Sequence, residues 1–245
     1  MRRFPPPPPR LTPAGPPQAV VDLQQAVAHV NAGRWPEAEK HARKVLAARP
    51  SDPSALNVLG TVSLNRGRSD DAVAWFEKAA SGQPKNPFIQ FNLGEAHRRL
   101  QAYEIAATFF QRAAALKPDF AEAFAAAGDA YRLIGRRSDA ERCYRSALKR
   151  APALPTALNG LGLLCLQSGD AAGAAEHFHR GRKATPAGHP LRAILLANLG
   201  LARLQLGHGM EGLALLAQAV EAAPGDAEAW RRLAGALRHT RLAPP

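Results

Sequence analysis

Residues 87–118 read PFIQFNLGEAHRRLQAYEIAATFFQRAAALKP and contain two amphipathic helical patterns closed by a proline. In both patterns apolar and small residues recur at three- and four-residue steps, which is the period of one face of an α-helix. Leu93 and Gly94 belong to the first pattern, and Phe110 and Ala113 belong to the second. The stretch therefore predicts two helices joined by a short turn.

Copies of this unit recur along the chain with a fixed period. Gly60, Gly94, Gly128 and Gly162 follow one another at steps of 34 residues. The same step separates a series of prolines, namely Pro50, Pro84, Pro118, Pro152 and Pro186. A period of this length is the sequence signature of stacked helical hairpins. The sequence therefore predicts an all-α solenoid.

The repeated unit resembles the tetratricopeptide repeat family. That family favours a bulky residue at place 4 of each repeat, Leu at 7, Gly or Ala at 8, Tyr at 11, Ala at 20, an aromatic residue at 24, Ala at 27 and Pro at 32. Counted from Ala121, this sequence supplies Phe124, Ala127, Gly128, Tyr131, Ala140, Tyr144, Ala147 and Pro152. The resemblance covers residues 19–240 and implies a right-handed α-solenoid.

The register of the repeats predicts six helical hairpins and one closing helix. The hairpins are assigned to residues 19–52, 53–86, 87–120, 121–154, 155–188 and 193–226, and a solvating helix to 227–240. Gly162 and Gly200 are 38 residues apart, so four residues precede the sixth hairpin, and we expect its first helix to begin at Pro190 and to be one turn longer. Residues 1–18 are expected to form a disordered Pro/Arg-rich tail, because proline lacks a backbone donor, and 241–245 a second tail.

Local signals predict where helices begin and how they pack. Asp52-Pro53 and Asn86-Pro87 are expected N-caps followed by proline at the first helical position. We expect Gly94 to face Ala106 and Ala113, so that Phe109, Phe110, Leu93 and Leu100 interdigitate. Asp22, at an apolar place of the first repeat, is interpreted as the polar face of a terminal repeat. Three glycines, Gly207, Gly209 and Gly212, predict that the second helix of the sixth hairpin is the least stable.

Composition limits the class of protein. The sequence has two cysteines, 46% apolar residues and no long uncharged apolar run, which predicts a cytoplasmic protein without membrane insertion. A net charge of +12 leaves nucleic acid open as a partner, with Arg98, Arg99, Arg132, Arg136 and Arg137 clustered. Aromatic residues do not interleave with these arginines, so the sequence favours a protein partner.

Few residues point to chemistry. His177 and His179 are two apart, so they lie on different sides of a helix and do not predict a shared metal site. His29 and His97 occupy place 11, where the family has Tyr, and are interpreted as packing residues. We therefore expect a protein that is not an enzyme, with no catalytic residue, cofactor or metal.

The resemblance implies a binding site instead. In this family the first helix of every hairpin lines the concave wall, where a protein or peptide ligand binds. The positions predicted to contact it are Asn57, Phe88, Phe91, Asn92, Glu95, Arg98, Arg99, Asp129, Arg132, Asn159 and Asn198. Asn side chains can pair with a peptide backbone, Arg can bind a carboxylate through two donors, and Phe88 with Phe91 is expected to form an apolar pocket.

A second hypothesis makes the array the substrate-recruiting half of an enzyme. The ending WRRLAGALRHTRLAPP, residues 230–245, resembles the junction at which bacterial repeat arrays continue into sulfotransferase, methyltransferase or glycosyltransferase modules. Residues 1–245 contain no such module.

Overall fold

The computed structural model describes the backbone of residues 17–242 and the side chains as far as Arg238. The chain divides into two compact units between Lys85 and Asn86. The first unit contains α1 (Gln18–Asn31), α2 (Trp35–Ala48), α3 (Pro53–Asn65) and α4 (Ser69–Gly82). The second contains α5 (Pro87–Arg99), α6 (Tyr103–Leu116), α7 (Ala121–Leu133), α8 (Arg137–Arg150), α9 (Pro155–Gln167), α10 (Ala171–Ala184), α11 (Pro190–Gln205), α12 (Gly209–Ala222) and α13 (Ala227–Leu242).

These helices confirm the predicted all-α repeat fold. Between residues 17 and 242 there are six antiparallel helix pairs followed by a single helix, and no strand. The longer first helix of the sixth pair is also confirmed, because α11 begins at Pro190 and has 16 residues where α3, α5, α7 and α9 have 13.

In the second to fifth pairs, an aromatic side chain of the second helix packs against the first helix and forms the centre of the core. Phe76, Phe110, Tyr144 and Phe178 are completely buried. A Cβ added to Gly94 would lie 2.6 Å from the ring of Phe110, and one added to Gly128 would lie 2.7 Å from the ring of Tyr144. The missing side chain of each glycine therefore makes room for a ring.

This geometry corrects the predicted packing of the third hairpin. Gly94 accommodates the ring of Phe110, where the sequence predicted a close approach to Ala106 and Ala113. Leu93 and Phe110 are buried as expected, but Leu100 is 39% exposed, and Phe109 is only half-buried. The aromatic residue at place 24 is too large to fit unless the facing residue is glycine.

Helix starts follow the predicted caps. The Asp52 carboxylate accepts hydrogen bonds from the backbone N–H groups of Ser54 and Ala55, and Asn86 accepts from those of Phe88 and Ile89. Each helix then begins with proline at its first position. Both predicted N-caps are confirmed, and they leave fewer unsatisfied donors at the first turn.

The turn inside each helix pair uses a left-handed backbone conformation. Gly33, Gly67, Gly135, Gly169 and Gly207 have φ between 67° and 80° at this place. In the third pair the equivalent residue is Gln101, with φ of 60°. Only one repeat therefore makes this turn without glycine, among the six that the structure describes.

Asp22 contradicts the interpretation of the first repeat. Its side chain is 5% exposed, and its carboxylate accepts hydrogen bonds from Gln18 at 3.1 Å and from His41 at 2.7 Å. Asp22 is therefore not tolerated through exposure to solvent. It is tolerated because His41 of α2 donates a hydrogen bond to its carboxylate. These contacts, led by the Gln18 bond, hold the pKa of Asp22 below its usual value.

The ends of the array differ from the predictions. Gln18, assigned to the tail 1–18, is the first residue of α1, and α13 continues to Leu242 instead of ending at 240. The rest of the first tail, 1–16, and residues 243–245 lie outside the described residues.

The sixth pair packs closely at a glycine. In α12, Gly212 is buried, and a Cβ added to it would lie 2.9 Å from the carbonyl oxygen of Gly200. Gly212 therefore allows α11 and α12 to approach each other, and the low stability of α12 stays a prediction.

Candidate functional site

Four first helices of the second unit, α7, α9, α11 and α13, lie side by side. α7 packs against α9, α9 against α11, and α11 against α13. The predicted contact residues of this unit lie on α5, α7, α9 and α11, and we call their surface the first-helix face. Asn57, the remaining predicted residue, is half-buried on α3 of the first unit.

A stripe of four predicted residues runs along α5. Phe88, Asn92, Glu95 and Arg99 are spaced by four, three and four positions, so they share one side of the helix. Phe88 and Arg99 are exposed, while Asn92 and Glu95 are half-buried. The stripe therefore offers an aromatic side chain at the start of α5 and a cation at its end, with an amide and a carboxylate between them.

The aromatic end of this stripe is supported by its neighbours. The ring centroid of Phe88 lies 5.5 Å from that of Phe120, and the ammonium of Lys117 lies 5.0 Å from the Phe88 ring centroid. Phe91 lies between Phe110 and Phe120, with centroid distances of 5.3 Å and 5.1 Å. Phe91 thus packs inside the aromatic cluster, and Phe88, 51% exposed, is the ring that reaches solvent.

Charged residues of α5 and α7 interact beside the stripe. Arg98 donates to the carboxylate of Glu95, with its Nη2 atom 2.8 Å from Oε2. Burial raises the pKa of Asp129, against the opposing effects of a hydrogen bond from Tyr144 and of the charges on Arg132 and Arg98. The Nε atom of Arg132 is buried without a hydrogen-bond partner in the described part of the chain. The positive charges of Arg98 and Arg132 therefore both act to lower the pKa of Asp129.

Polar side chains link the last three first helices. Asn198 of α11 donates to the Oδ1 atom of Asn159 on α9 at 2.9 Å, and Arg232 of α13 donates to the Oδ1 atom of Asn198 at 2.9 Å. Asn198 is 3% exposed, so it positions its two partners and is itself shielded from solvent.

Sequence reasoning missed several members of this face. Arg232 was not among the predicted contact residues. It lies 34 residues after Asn198, which is one repeat period, and this spacing is the signal that could have indicated their contact. Phe120 and Lys117, which support Phe88, lie in the turn before α7 and outside the predicted places. The sequence signal that could have found Phe120 is its large apolar side chain immediately before a helix.

The two histidines interpreted as packing residues contact other rings. The ring of His97 stacks on that of Phe109 at 5.3 Å, and the ring of His29 stacks on that of His41 at 5.4 Å.

The described side chains include no group of three or more His, Cys, Asp or Glu residues that could hold a metal ion. Cys143 and Cys165 are free thiols. Within residues 17–242, no helix is long and apolar enough to cross a membrane.

The paired helices, their glycine–aromatic contacts and the row of first helices define a helical repeat protein. Two family models described as tetratricopeptide repeat match the sequence, the first at residues 23–87, 125–189 and 197–244 and the second at 89–120. The first model covers more than half of the chain, so the protein belongs to the tetratricopeptide repeat family. A comparison with curated proteins gave no match.

Solved structures show the same fold. PilW, titled a widely conserved type IV pilus biogenesis factor, is 19% identical with a TM-score of 0.76, covering 91% of this chain and 100% of its own. PilF of Pseudomonas aeruginosa is 17% identical with a TM-score of 0.75, covering 89% and 97%. MamA is 23% identical with a TM-score of 0.58, covering 65% and 93%. At these identities the likeness shows the fold alone.

Proposed function

We propose that this protein is a non-enzymatic scaffold whose first-helix face binds an extended peptide segment of a partner protein. The observation that carries the proposal is the stripe on α5, where an exposed and supported aromatic ring and an exposed guanidinium lie on one side of the helix. Aromatic and arginine side chains in such positions are the usual anchors of protein interfaces.

The length of the stripe sets the distance between the two anchoring side chains of the proposed ligand. Phe88 and Arg99 are eleven positions apart, which at 1.5 Å per residue is about 16 Å. An extended chain covers this distance in about five residues. The proposed ligand therefore carries an apolar side chain for Phe88 and a carboxylate for Arg99, separated by about five residues.

The remaining polar groups fit a peptide backbone between these anchors. The amide of Asn92 can both donate to a peptide carbonyl and accept from a peptide N–H. Farther along the face, Asn159 and Arg232 are held in place by Asn198, which lowers the entropy that binding would cost them. Asn57 on α3 is proposed as a ligand contact of the first unit.

A pull-down with the full chain as bait tests the proposal. Asn92→Ala combined with Arg99→Ala should reduce the captured partner strongly while the far-ultraviolet circular dichroism stays that of the unaltered chain. A matched variant, Thr108→Ala with Arg112→Ala, removes two exposed polar groups of α6 and should leave capture unchanged.

The pull-down is repeated after nuclease treatment and at low and high salt. Capture that survives nuclease supports a protein ligand. Loss of all capture with nuclease would instead favour a nucleic-acid partner, and equal capture by the α5 variant would move the site away from this helix.

A further inference from the structure

Three cavities surround α8 on the side of the second helices. The first, about 280 Å³, lies between α6, α7 and α8 over Phe124, Ala127 and Cys143. The second, about 360 Å³, follows α8 itself. The third, about 490 Å³, lies between α8, α9 and α10 over Leu161 and Leu164. Each of the two flanking cavities has an apolar floor that a ligand side chain could cover.

The three cavities form one continuous surface. The cavity on α8 shares Glu141 and Arg145 with the third cavity and Arg142 and Ser146 with the first. We call this combined area the α8 surface. It crosses two adjacent grooves between helices, a width on the order of 16–20 Å at the usual interaxial distance. Such an extent suits a segment of polypeptide better than a small molecule.

The charge of the α8 surface is uneven. Its lining contains four basic residues, Arg137, Arg142, Arg145 and Lys149, and two acidic residues, Glu141 and Asp170. Both carboxylates are engaged, because Glu141 pairs with Arg145 and Asp170 caps α10. In contrast, Arg137 and Lys149 form no ion pair with a described residue. The surface therefore has cations left over for a ligand.

The third cavity carries its own unsatisfied group. His177 of α10 lines it opposite Arg137 and Arg145 of α8. The Nδ1 atom of His177 is buried and has no hydrogen-bond partner among the described residues. A ligand carboxyl group entering this cavity would lie close to His177 and to the guanidinium of Arg137, which pairs with no described carboxylate.

We propose that the α8 surface is a second docking site, which takes an acidic, partly apolar segment of a partner protein. Apolar side chains of the segment enter the two flanking cavities, over Phe124 on one side and Leu164 on the other. Its carboxylates pair with Arg137 and Lys149. A nucleic-acid backbone would meet the same cations, but it has no side chains to fill the apolar floors.

This site is separate from the first-helix face, because its cations lie on the second helix α8, whereas the predicted contact residues of that face lie on first helices. Cys165, half-buried in the third cavity, provides a reporter of occupancy. Cys143 lies on the floor of the first cavity and is 6% exposed. Burial raises the pKa of the Cys165 thiol, so alkylation is carried out at about pH 8.5, where more thiolate is present.

The test uses a display library of random 15-residue peptides selected against the immobilised full chain in the presence of excess DNA. Enriched peptides are synthesised, and iodoacetamide labelling of Cys165 and Cys143 is followed by peptide mass spectrometry. We expect enriched peptides with net negative charge and at least two apolar residues to protect Cys165. Replacing their Glu and Asp residues by Gln and Asn should remove the protection.

Two variants locate the site. Arg137→Gln, Arg145→Gln and Lys149→Gln together should weaken the dissociation constant of a protecting peptide about tenfold, given the modest contribution of each exposed ion pair. The control, Arg34→Gln, Lys40→Gln and Lys85→Gln, removes the same number of exposed charges elsewhere and should leave the constant within twofold.

Three outcomes would overturn the proposal. The first is a library that yields no acidic peptide able to protect Cys165. The second is that the two triple variants weaken binding of the protecting peptide equally. The third is that a DNA oligonucleotide protects Cys165 and acidic peptides do not. Unchanged binding of the protecting peptide to the Asn92→Ala, Arg99→Ala variant would confirm that the two sites are distinct.

Discussion

The hydroxyl of Tyr144 on α8 donates a hydrogen bond of 2.7 Å to the Oδ1 atom of Asp129 on α7. The ring of the same tyrosine lies against two glycines, since an added Cβ would be 2.7 Å away from it on Gly128 and 2.2 Å away on Gly160. Burial and the nearby Asp129 raise the pKa of Tyr144, so it remains a donor at any physiological pH. One side chain thus fixes the contacts of α8 with both α7 and α9.

The Asp129 carboxylate predicts a pH dependence of stability. Its pKa is raised by burial, so the folded state binds the proton more tightly than the unfolded state does. The resulting stabilisation is complete below the unfolded value of about 3.9 and is lost as pH rises through the raised folded value. Asp129→Asn keeps an acceptor for Tyr144, so it should be at least as stable as the unaltered chain at pH 7.

Urea denaturation at several pH values measures this difference. As pH falls from 7 towards 4, the free energy of unfolding of the unaltered chain should rise relative to that of the Asp129→Asn variant. A stability difference that does not change with pH would contradict this prediction, because it would show that the pKa of Asp129 is the same in the folded and unfolded states. Tyr144→Phe provides the companion measurement, and it should cost about 1–3 kcal/mol because it removes a buried donor.

Asp22 should show the opposite dependence. Its pKa is lowered by hydrogen bonds from Gln18 and His41, so its stabilising contribution is present above the unfolded value and is lost as pH falls through the folded one. Asp22→Asn should therefore unfold at lower urea than the unaltered chain at pH 7, and the two should converge in acid. A difference between the two urea midpoints that stays constant down to the most acidic conditions would contradict the lowered pKa of Asp22.

The glycine–aromatic contacts predict an unusual response to alanine. Gly94→Ala places a methyl group 2.6 Å from the ring of Phe110 and should lower the free energy of unfolding by about 1–3 kcal/mol. Gly235→Ala is the matched control, because Gly235 lies in α13 with no atom within 4 Å of the added Cβ. That change should stabilise the helix by up to about 1 kcal/mol. Equal effects of the two substitutions would contradict the packing described.

Gln101 offers a stabilising substitution. Its φ of 60° disfavours an L side chain, at a cost of about 1–2 kcal/mol. Gln101→Gly should raise the free energy of unfolding by about 1 kcal/mol once the greater flexibility of the unfolded chain is included. Gln101→Ala keeps the strain and serves as the control, with little expected change. A destabilised glycine variant would show that the Gln101 side chain makes contacts that outweigh the strain.

The sequence predicted the repeat architecture well because packing recurs at a fixed interval. Glycine at place 8 and an aromatic residue at place 24 are both visible in the pattern, yet their mutual contact was assigned to alanines. Small residues in a helical period indicate close packing without saying which neighbour fills the space. The missing signal was the aromatic residue that follows the glycine by 16 positions in the second to fifth pairs.

The candidate site was less predictable, because its contacts join residues whose separation follows no single period. The Asn198–Asn159 pair spans 39 residues and crosses the insertion before α11, and Asp22 pairs with His41 through a contact that exists only in the first repeat. Phe88 and Phe91 were predicted together as a pocket, but the turn residue Phe120 decides that Phe91 packs inward. These effects depend on turns and partners that the repeat pattern does not encode.

The place of Tyr144 between two glycines limits how such a chain can evolve by gain or loss of whole repeats. The position of Gly160 is held in the other five repeats by Gln24, Val58, Asn92, Ala126 and Asn198. A recombination event that joined the fourth repeat to any successor except the fifth would set one of those side chains against the tyrosine ring. The contacts between neighbouring repeats therefore restrict the order of the repeats. Selection would act against a rearranged order, even though the repeats look alike in sequence.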